Sequence, residues 1–239
     1  MSGIEMSTAN YNLHGFADDR EFILLDRHGK MITLRTHPQL YQLHLYRQED
    51  NYLVTSDKTQ LVFCNTDFGP AVDKIRVWKR SVLGFQASDK INVFFSEFLN
   101  EQISCYRNLP TSSDDAGFRD SRPILLINLA SIRRLEAEIS QSIDPLRFRP
   151  NIIIDDGIPF SEIKWKKLRF DQQHFVVSKP CSRCPIINIE PKDGKQSLNL
   201  LSALVPFTKK LFKVNFGQYL IPEGSLGQLA VGMDVQIEN

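Results

Sequence analysis

Residues 179–185 read Lys179-Pro180-Cys181-Ser182-Arg183-Cys184-Pro185 and hold two of the four cysteines in the chain. A thiolate is a soft metal ligand and a nucleophile, and a neighbouring cation favours it over the thiol. Ser182 and Arg183 add a hydroxyl and a guanidinium, suited to an anionic group beside whatever Cys184 binds. Together they point to a metal carried by an anionic cofactor. Three other uses of the pair compete with this. Cys-x-x-Cys is also a thioredoxin-like redox signature, but such a pair opens a helix, whereas Ile186-Ile187-Asn188-Ile189 reads as strand. It is also half of a zinc site, which needs two more closely spaced ligands; Cys64 and Cys105 stand alone and no His-x3–5-His pair exists. The last use is a pair of buried structural cysteines, the ordinary fate of free Cys.

A second group is Phe148-Arg149-Pro150-Asn151, before the run Ile152-Ile153-Ile154. Pro150 biases Arg149 toward extended geometry, holding its guanidinium at a strand entrance. Arginine there suits a bidentate grip on phosphate, and an Asn amide pairs with the edge of a heterocycle. The alternative is a structural Arg beside an Asn turn. Asp120-Ser121-Arg122 is a third polar group, weak alone, and Gly217 in Phe216-Gly217-Gln218 allows close backbone approach.

The elements that must position these groups are mostly strands. Residues 21–26 and 31–36 read as a hairpin around Gly29, ended by Pro38. Residues 52–55 and 61–65 make a second pair, and 74–87 is β-branched enough for further strand. From Ser88 the period changes: Ile91, Phe94, Phe95, Phe98 and Leu99 fall on one face of a helix with Ser88 as N-cap. That aromatic stripe reads as core. A short strand over 103–107 leads to a polar, turn-rich stretch, 108–117, the best candidate for a linker. A second helix starts near Asn128 with Leu129, Ile132, Leu135 and Ile139 as its apolar edge and Arg133-Arg134 solvated. Residues 151–155, 167–178 and 184–190 read as strands, 197–204 as a short helix, and 212–221 and 228–238 as closing strands. Lys164, Lys166, Lys167 and Arg169, interleaved with Trp165, read as an exposed strand edge. Cys64 and Cys105 are assigned to the core.

Composition bounds the class. Hydrophobic residues make up 42% of 239, with 16 Phe, ample for a sizeable core. A formal charge of +1 gives no bulk basic field, so no nucleic-acid partner is expected. Four scattered cysteines argue for a reducing compartment. The apolar run from Pro123 to Ile132 falls short of the roughly 20 residues of a membrane span. No basic n-region with an apolar h-region opens the chain, so a cytoplasmic, non-membrane protein is expected.

Taken in order, the segments resemble the MOSC family (molybdenum cofactor sulfurase C-terminal domain) with its N-terminal β-barrel partner. The likeness runs nearly end to end. Its pieces are Asp19-Arg20-Glu21-Phe22, Thr33-Leu34-Arg35-Thr36-His37-Pro38, Val77-Trp78 and Phe118-Arg119-Asp120, then Pro123 to Asn128. It continues through Arg147-Phe148-Arg149-Pro150-Asn151, the Lys179–Cys184 motif, and Phe216-Gly217-Gln218-Tyr219-Leu220-Ile221-Pro222. The resemblance implies a mostly β fold: a barrel-like domain over 1–108 packed on a MOSC β-barrel over 109–239, with a few short helices. It resembles the amidoxime-reducing branch, which implies a pterin-dithiolene molybdenum cofactor and two-electron reduction of N-hydroxylated small molecules. In that pattern Cys184 is the molybdenum ligand and Arg20 grips the pterin's phosphate. Arg149, Asn151, Ser182 and Arg183 hold phosphate and pterin, and Asp120 and Ser121 are the acid and hydroxyl near the metal. Pyridoxal phosphate is a further family-level association.

The family's first strand ends in Tyr-Pro-x-Lys-Ser, whose Lys and Ser contact the phosphate; Met1-Ser2-Gly3 begins just after that point, so both contacts are expected to be missing. Ile187-Asn188 and Glu190-Pro191 stand where the family has Thr-Thr and Asp-Pro, and Ser121-Arg122 where bacterial members commonly have Gly-Tyr. No ferredoxin-like segment follows Asn239, so electrons are expected from a separate reductase, haem or iron–sulfur protein. Two other functions stay open: a cofactor or sulfur carrier without turnover, and a thiol redox protein using Cys181 and Cys184.

Overall fold

The computed structural model describes every residue except 2, 109–116, 120, 211–212, 225 and 239, and the side chains of all of these but 71, 209 and 210. Asp120 and nearly all of the stretch 108–117 therefore lie outside the described residues. In chain order the elements are β1 (Thr8–Asn12), β2 (Gly15–Phe16), β3 (Phe22–Asp26), β4 (His44–Gln48), β5 (Asn51–Thr55), β6 (Gln60–Cys64), β7 (Phe68–Val77), β8 (Arg80–Ala87), α1 (Asp89–Leu99) and β9 (Ile103–Asn108). They continue with β10 (Ile124–Asn128), α2 (Leu129–Ile139), β11 (Ile152–Ile154), β12 (Lys167–Phe170), β13 (Gln173–Ser182), α3 (Leu200–Ala203), α4 (Val205–Thr208), β14 (Lys209–Lys210), β15 (Lys213–Pro222), β16 (Leu226–Ala230) and β17 (Val235–Glu238). The fold is mostly β with short helices. It divides into two compact units: Met1–Ile4, Asp18–Ser121 and Lys192–Gly194 form the first, and Glu5–Ala17, Arg122–Pro191 and Lys195–Asn239 the second.

In the first unit, one sheet runs β3-β9-β8-β7 and another β4-β5-β6. Helix α1 buries Ile91, Phe94, Phe95 and Leu99 as the periodicity requires, and Asn100 closes it in the left-handed conformation. Ser88 stands at its N-cap by backbone alone, making no side-chain cap bond. Residues 31–36 do not form the expected return strand. Only Leu25 and Met31 bridge, because Thr33 and Thr36 close a turn in which the Thr36 N–H and hydroxyl both donate to the Thr33 carbonyl at 3.0 Å. Hydroxyls competing for backbone partners break a ladder. On its opposite edge β3 pairs in full with β9, with Phe22 opposite Arg107 and Asp26 opposite Ile103. Cys105 is buried, and burial raises its thiol pKa; Cys64, expected in the core, is only half-buried.

The second unit is built on a sheet of order β11-β10-β15-β13-β12-β17, with β16-β1-β2 beside it. All five residues of β10 are buried: Ile124 and Leu126 face one core cluster, Ile127 the other. Burial on both faces explains an unbroken apolar run. Gly217 at φ +76° lets β15 cross β10: a Cβ there would lie 2.5 Å from the Leu126 carbonyl oxygen. Gly217→Ala is expected to destabilise the protein by about 2–3 kcal/mol, read from urea unfolding.

Two expectations for this unit are corrected. Residues 184–190 are a 3-10 turn, Pro185–Asn188, not a strand, because Pro185 lacks an N–H and presets φ at a first helical position. The basic run is not an exposed edge: β12 lies between β13 and β17, and Trp165 and Leu168 are buried.

At the start of α2, Asn128 caps the helix by accepting the Ala130 N–H at 3.1 Å. Beneath it Glu162 is 1% exposed and accepts the Ser131 hydroxyl at 2.8 and 2.9 Å. Asn128 Nδ2 donates to Glu162 at 3.3 Å and to Asp156 at 2.7 Å. Burial raises the Glu162 carboxyl above its ordinary 4.5. An acid with a raised native value favours folding at low pH, and that contribution is lost as pH climbs from 4.5 through the native value. Glu162→Gln should therefore gain stability relative to the parent as pH rises across that window, measured by denaturation at several pH values.

Candidate functional site

Strand β13 is irregular where the cysteine motif begins. Its pairing with β15 shifts register between Val177 and Lys179 and again between Pro180 and Ser182. Proline cannot donate to a ladder and is accommodated in a sheet at such irregularities. Past the second shift the two cysteines part company. Cys181 is 4% exposed; Cys184 is half-exposed, in extended backbone at the entry of the Pro185–Asn188 turn. The Cys184 sulfur has no hydrogen-bond partner among the described residues. Ser182 between them is exposed.

Arg183 turns inward. Its Nη1 donates to Cys181 Sγ at 3.0 Å, its Nη2 donates to the Phe148 carbonyl at 2.7 Å, and the guanidinium lies 5.4 Å from the Phe148 ring centre. Its Nε is buried without a partner. The Phe148 carbonyl belongs to the peptide that leads into Arg149, so Arg183 fixes the plane about which Arg149's φ is set. Arg149 sits at φ +52°, in the left-handed region, where a non-glycine residue costs about 1–2 kcal/mol. Pro150 disfavours the right-handed helical alternative there. Pro150 alone predicts extended geometry at Arg149; the 3-10 turn Pro145–Phe148, closed by the Arg149 N–H donating to Leu146 at 3.0 Å, overrides it.

Asn151 works inside the sheet. Its N–H donates to the Leu125 carbonyl at 2.8 Å, and its Oδ1 accepts the Leu125 N–H at 2.9 Å. A side-chain oxygen thus stands in for a ladder carbonyl. Arg147, two residues before Arg149, was not singled out from the sequence. It is 2% exposed, bonded to Glu190 and donating to Ser197 at 2.6 Å. The alternation Arg147-Phe148-Arg149 was its only sequence signal, one arginine inward and the next half-exposed.

The remaining site residues belong to the first unit. Arg20, at φ +56°, pairs with Asp19 at 2.5 Å, and Asp18 at φ +61° pairs with Arg47. Ser121 is half-exposed in a bend. Strained non-glycine positions gather at ligand sites, and Arg20 and Arg149 both qualify.

Among the described residues no three His, Cys, Asp or Glu side chains gather as a metal-binding group. One accessible thiol with an arginine held in a strained conformation suits a soft metal that arrives with its own anionic ligand. A thioredoxin-like pair is not the local geometry, because no helix of two turns follows the cysteines. Among the described residues no helix is long and apolar enough to cross a membrane.

Comparison with known proteins gives the same assignment twice. Residues 1–102 match the MOSC N-terminal beta barrel domain and residues 113–236 the MOSC domain. The chain is 29% identical to the molybdenum cofactor sulfurase of Drosophila mojavensis over 91% of its own length and 29% of the relative's. It is 28% identical to that of Caenorhabditis elegans over 86% of its length and 29% of the relative's. For the Arabidopsis thaliana protein the identity is 25%, over 92% of this chain and 32% of that one. The chain thus spans about three-tenths of the curated relatives it matches. With both domain types matched and the strand-rich fold they describe, the chain belongs to the MOSC family.

Proposed function

We propose that this chain binds a molybdenum cofactor through Cys184 and acts as an oxidoreductase on N-hydroxylated small molecules such as amidoximes. The observation that carries the reading is the split between the two cysteines. Cys181 is buried and engaged by Arg183, while Cys184 is half-exposed and its sulfur unpartnered among the described residues. A single soft donor of this kind suits a metal whose other ligands come from a pterin dithiolene. When bound, the cofactor supplies the two-electron redox chemistry. The chain's own residues bind and orient it. Cys184 anchors the metal; Arg149 and Arg20 meet anionic phosphate; Ser182 and Asn151 contribute hydrogen bonds to the pterin. Arg183 acts through its neighbours, by holding the Phe148–Arg149 peptide. Asp120 and Ser121 are assigned to the reacting end. Electrons come from a separate protein donor.

A second reading is favoured by the relatives. They are named as sulfurases, and this chain matches about three-tenths of their length, which suits a module that holds the cofactor without turning over substrate. One experiment separates the two. Protein from a cofactor-producing host is assayed for benzamidoxime reduction with a reduced viologen dye as electron donor, alongside its molybdenum and pterin content. Turnover with near-stoichiometric metal supports the reductase. Full metal without turnover supports the holding module. A protein that takes up no cofactor overturns both.

A further inference from the structure

The first unit contains a cavity of about 450 Å3 lined by Asn65, Phe68, Gly69, Pro70, Phe85 and Arg107, none of which belongs to the site above. Its volume is in the range of small-molecule sites. Its origin is a register break. Phe68 pairs with Ala87 and Val72 with Phe85, so four steps along β7 meet two along β8, and Gly69 and Pro70 bulge out. A bulge of this kind bends the strand and interrupts the ladder. Phe68 is held on one side by stacking on Phe22 at 5.5 Å.

The charged group of this cavity is Arg107. Arg107, opposite Phe85 in the β8–β9 pairing, donates its Nε to Glu21 Oε1 at 2.6 Å. Its two terminal nitrogens have no hydrogen-bond partner among the described residues. Glu21 is completed by the Tyr52 hydroxyl at 3.0 Å, which burial and the Glu21 charge keep protonated up to about 12. With its side chain 26% exposed, Arg107 keeps those two nitrogens open to a ligand that offers acceptors in the guanidinium plane. The charge of Arg107 is already balanced by Glu21, so an anion would leave the site net negative; a neutral acceptor edge would not.

We infer that this cavity binds a neutral planar heterocycle, packed against Phe68 and Phe85, whose edge offers two adjacent acceptors to Arg107. An oxopurine nucleoside has that edge: a carbonyl beside a ring nitrogen is the usual bidentate partner of arginine, with a ring N–H alongside. Adenosine presents an amino group where the carbonyl should be.

The test is an amide chemical-shift titration of the intact chain with inosine, adenosine, benzoate and inorganic phosphate. Inosine should give saturable shifts at Gly69 and Arg107 with a midpoint below about 1 mM, and adenosine should bind at least about tenfold more weakly. Arg107→Lys and Phe85→Ala should each weaken inosine by about tenfold; the second leaves the Glu21 pair intact and so serves if the first perturbs folding. No saturation by about 10 mM overturns the inference. So do equal affinities for the two nucleosides, tighter binding of benzoate or phosphate, or shifts confined to the second unit.

Discussion

Cys184→Ser is expected to lose nearly all bound molybdenum, retaining less than about one-tenth of the parent's metal, while Cys181→Ser keeps most of it. The two substitutions are chemically identical and three residues apart, so the contrast isolates position. At 184 the sulfur is accessible and a hydroxyl is too hard and too weakly acidic to replace a thiolate on a soft metal. At 181 the sulfur is buried and accepts from Arg183 at 3.0 Å, a role a serine hydroxyl can largely take over. Metal analysis together with pterin fluorescence on both purified variants reads the result. Equal loss in the two would show that the cysteines act as a pair and would sink the single-ligand assignment.

Replacing Arg183 should be costly in a different way. Arg183→Gln leaves the Phe148 carbonyl and the Cys181 sulfur without their guanidinium, and an expected loss of about 2–3 kcal/mol follows from two unmet partners in a half-buried setting. Arg183→Lys should fall between, because one ammonium on a flexible stem cannot span both acceptors in the fixed fork geometry. The peptide that Arg183 grips sets the left-handed conformation of Arg149, so cofactor retention should fall with both variants. A purely structural role predicts that retention recovers wherever the fold is intact. Denaturant titration in parallel with pterin retention at low temperature, where each variant is folded, decides between them. Unchanged retention in folded Arg183→Gln would show that Arg149 holds its conformation without the strut.

Several parts of this fold were legible because they depend on local pattern. The change from period two to period 3.6 at Ser88 located α1, and an apolar edge with an Asn cap located α2, since amphipathic burial and capping are written in consecutive residues. The hairpin of β5 and β6 followed from alternation around a polar turn. Gly217 could be marked as a close approach from its type alone. The misreadings arose where distant partners intervened. Residues 31–36 have strand composition, but two threonines closed a turn on their own backbone, and the full ladder of β3 formed on its other edge with β9, more than 70 positions away. The basic stretch beside Trp165 looks like an edge until β17 arrives from the chain's end to cover β12.

The same division holds at the candidate site. The amino-acid sequence alone determined that the chain is strand-rich, that it belongs among MOSC proteins, and which few residue types could handle a soft metal and a phosphate, because composition, periodicity and motif order are carried by the residues themselves. Only the tertiary structure decided what each of those side chains touches. It buried Cys181 and left Cys184 half-exposed, bonded Arg183 to the Phe148 carbonyl, engaged the Asn151 oxygen in the sheet, and placed Arg149 in a strained conformation. The physical reason is that hydrogen bonds and burial are settled between segments. A guanidinium at position 183 finds its acceptor at Phe148, 35 residues away, and no spacing rule within the motif reports that meeting.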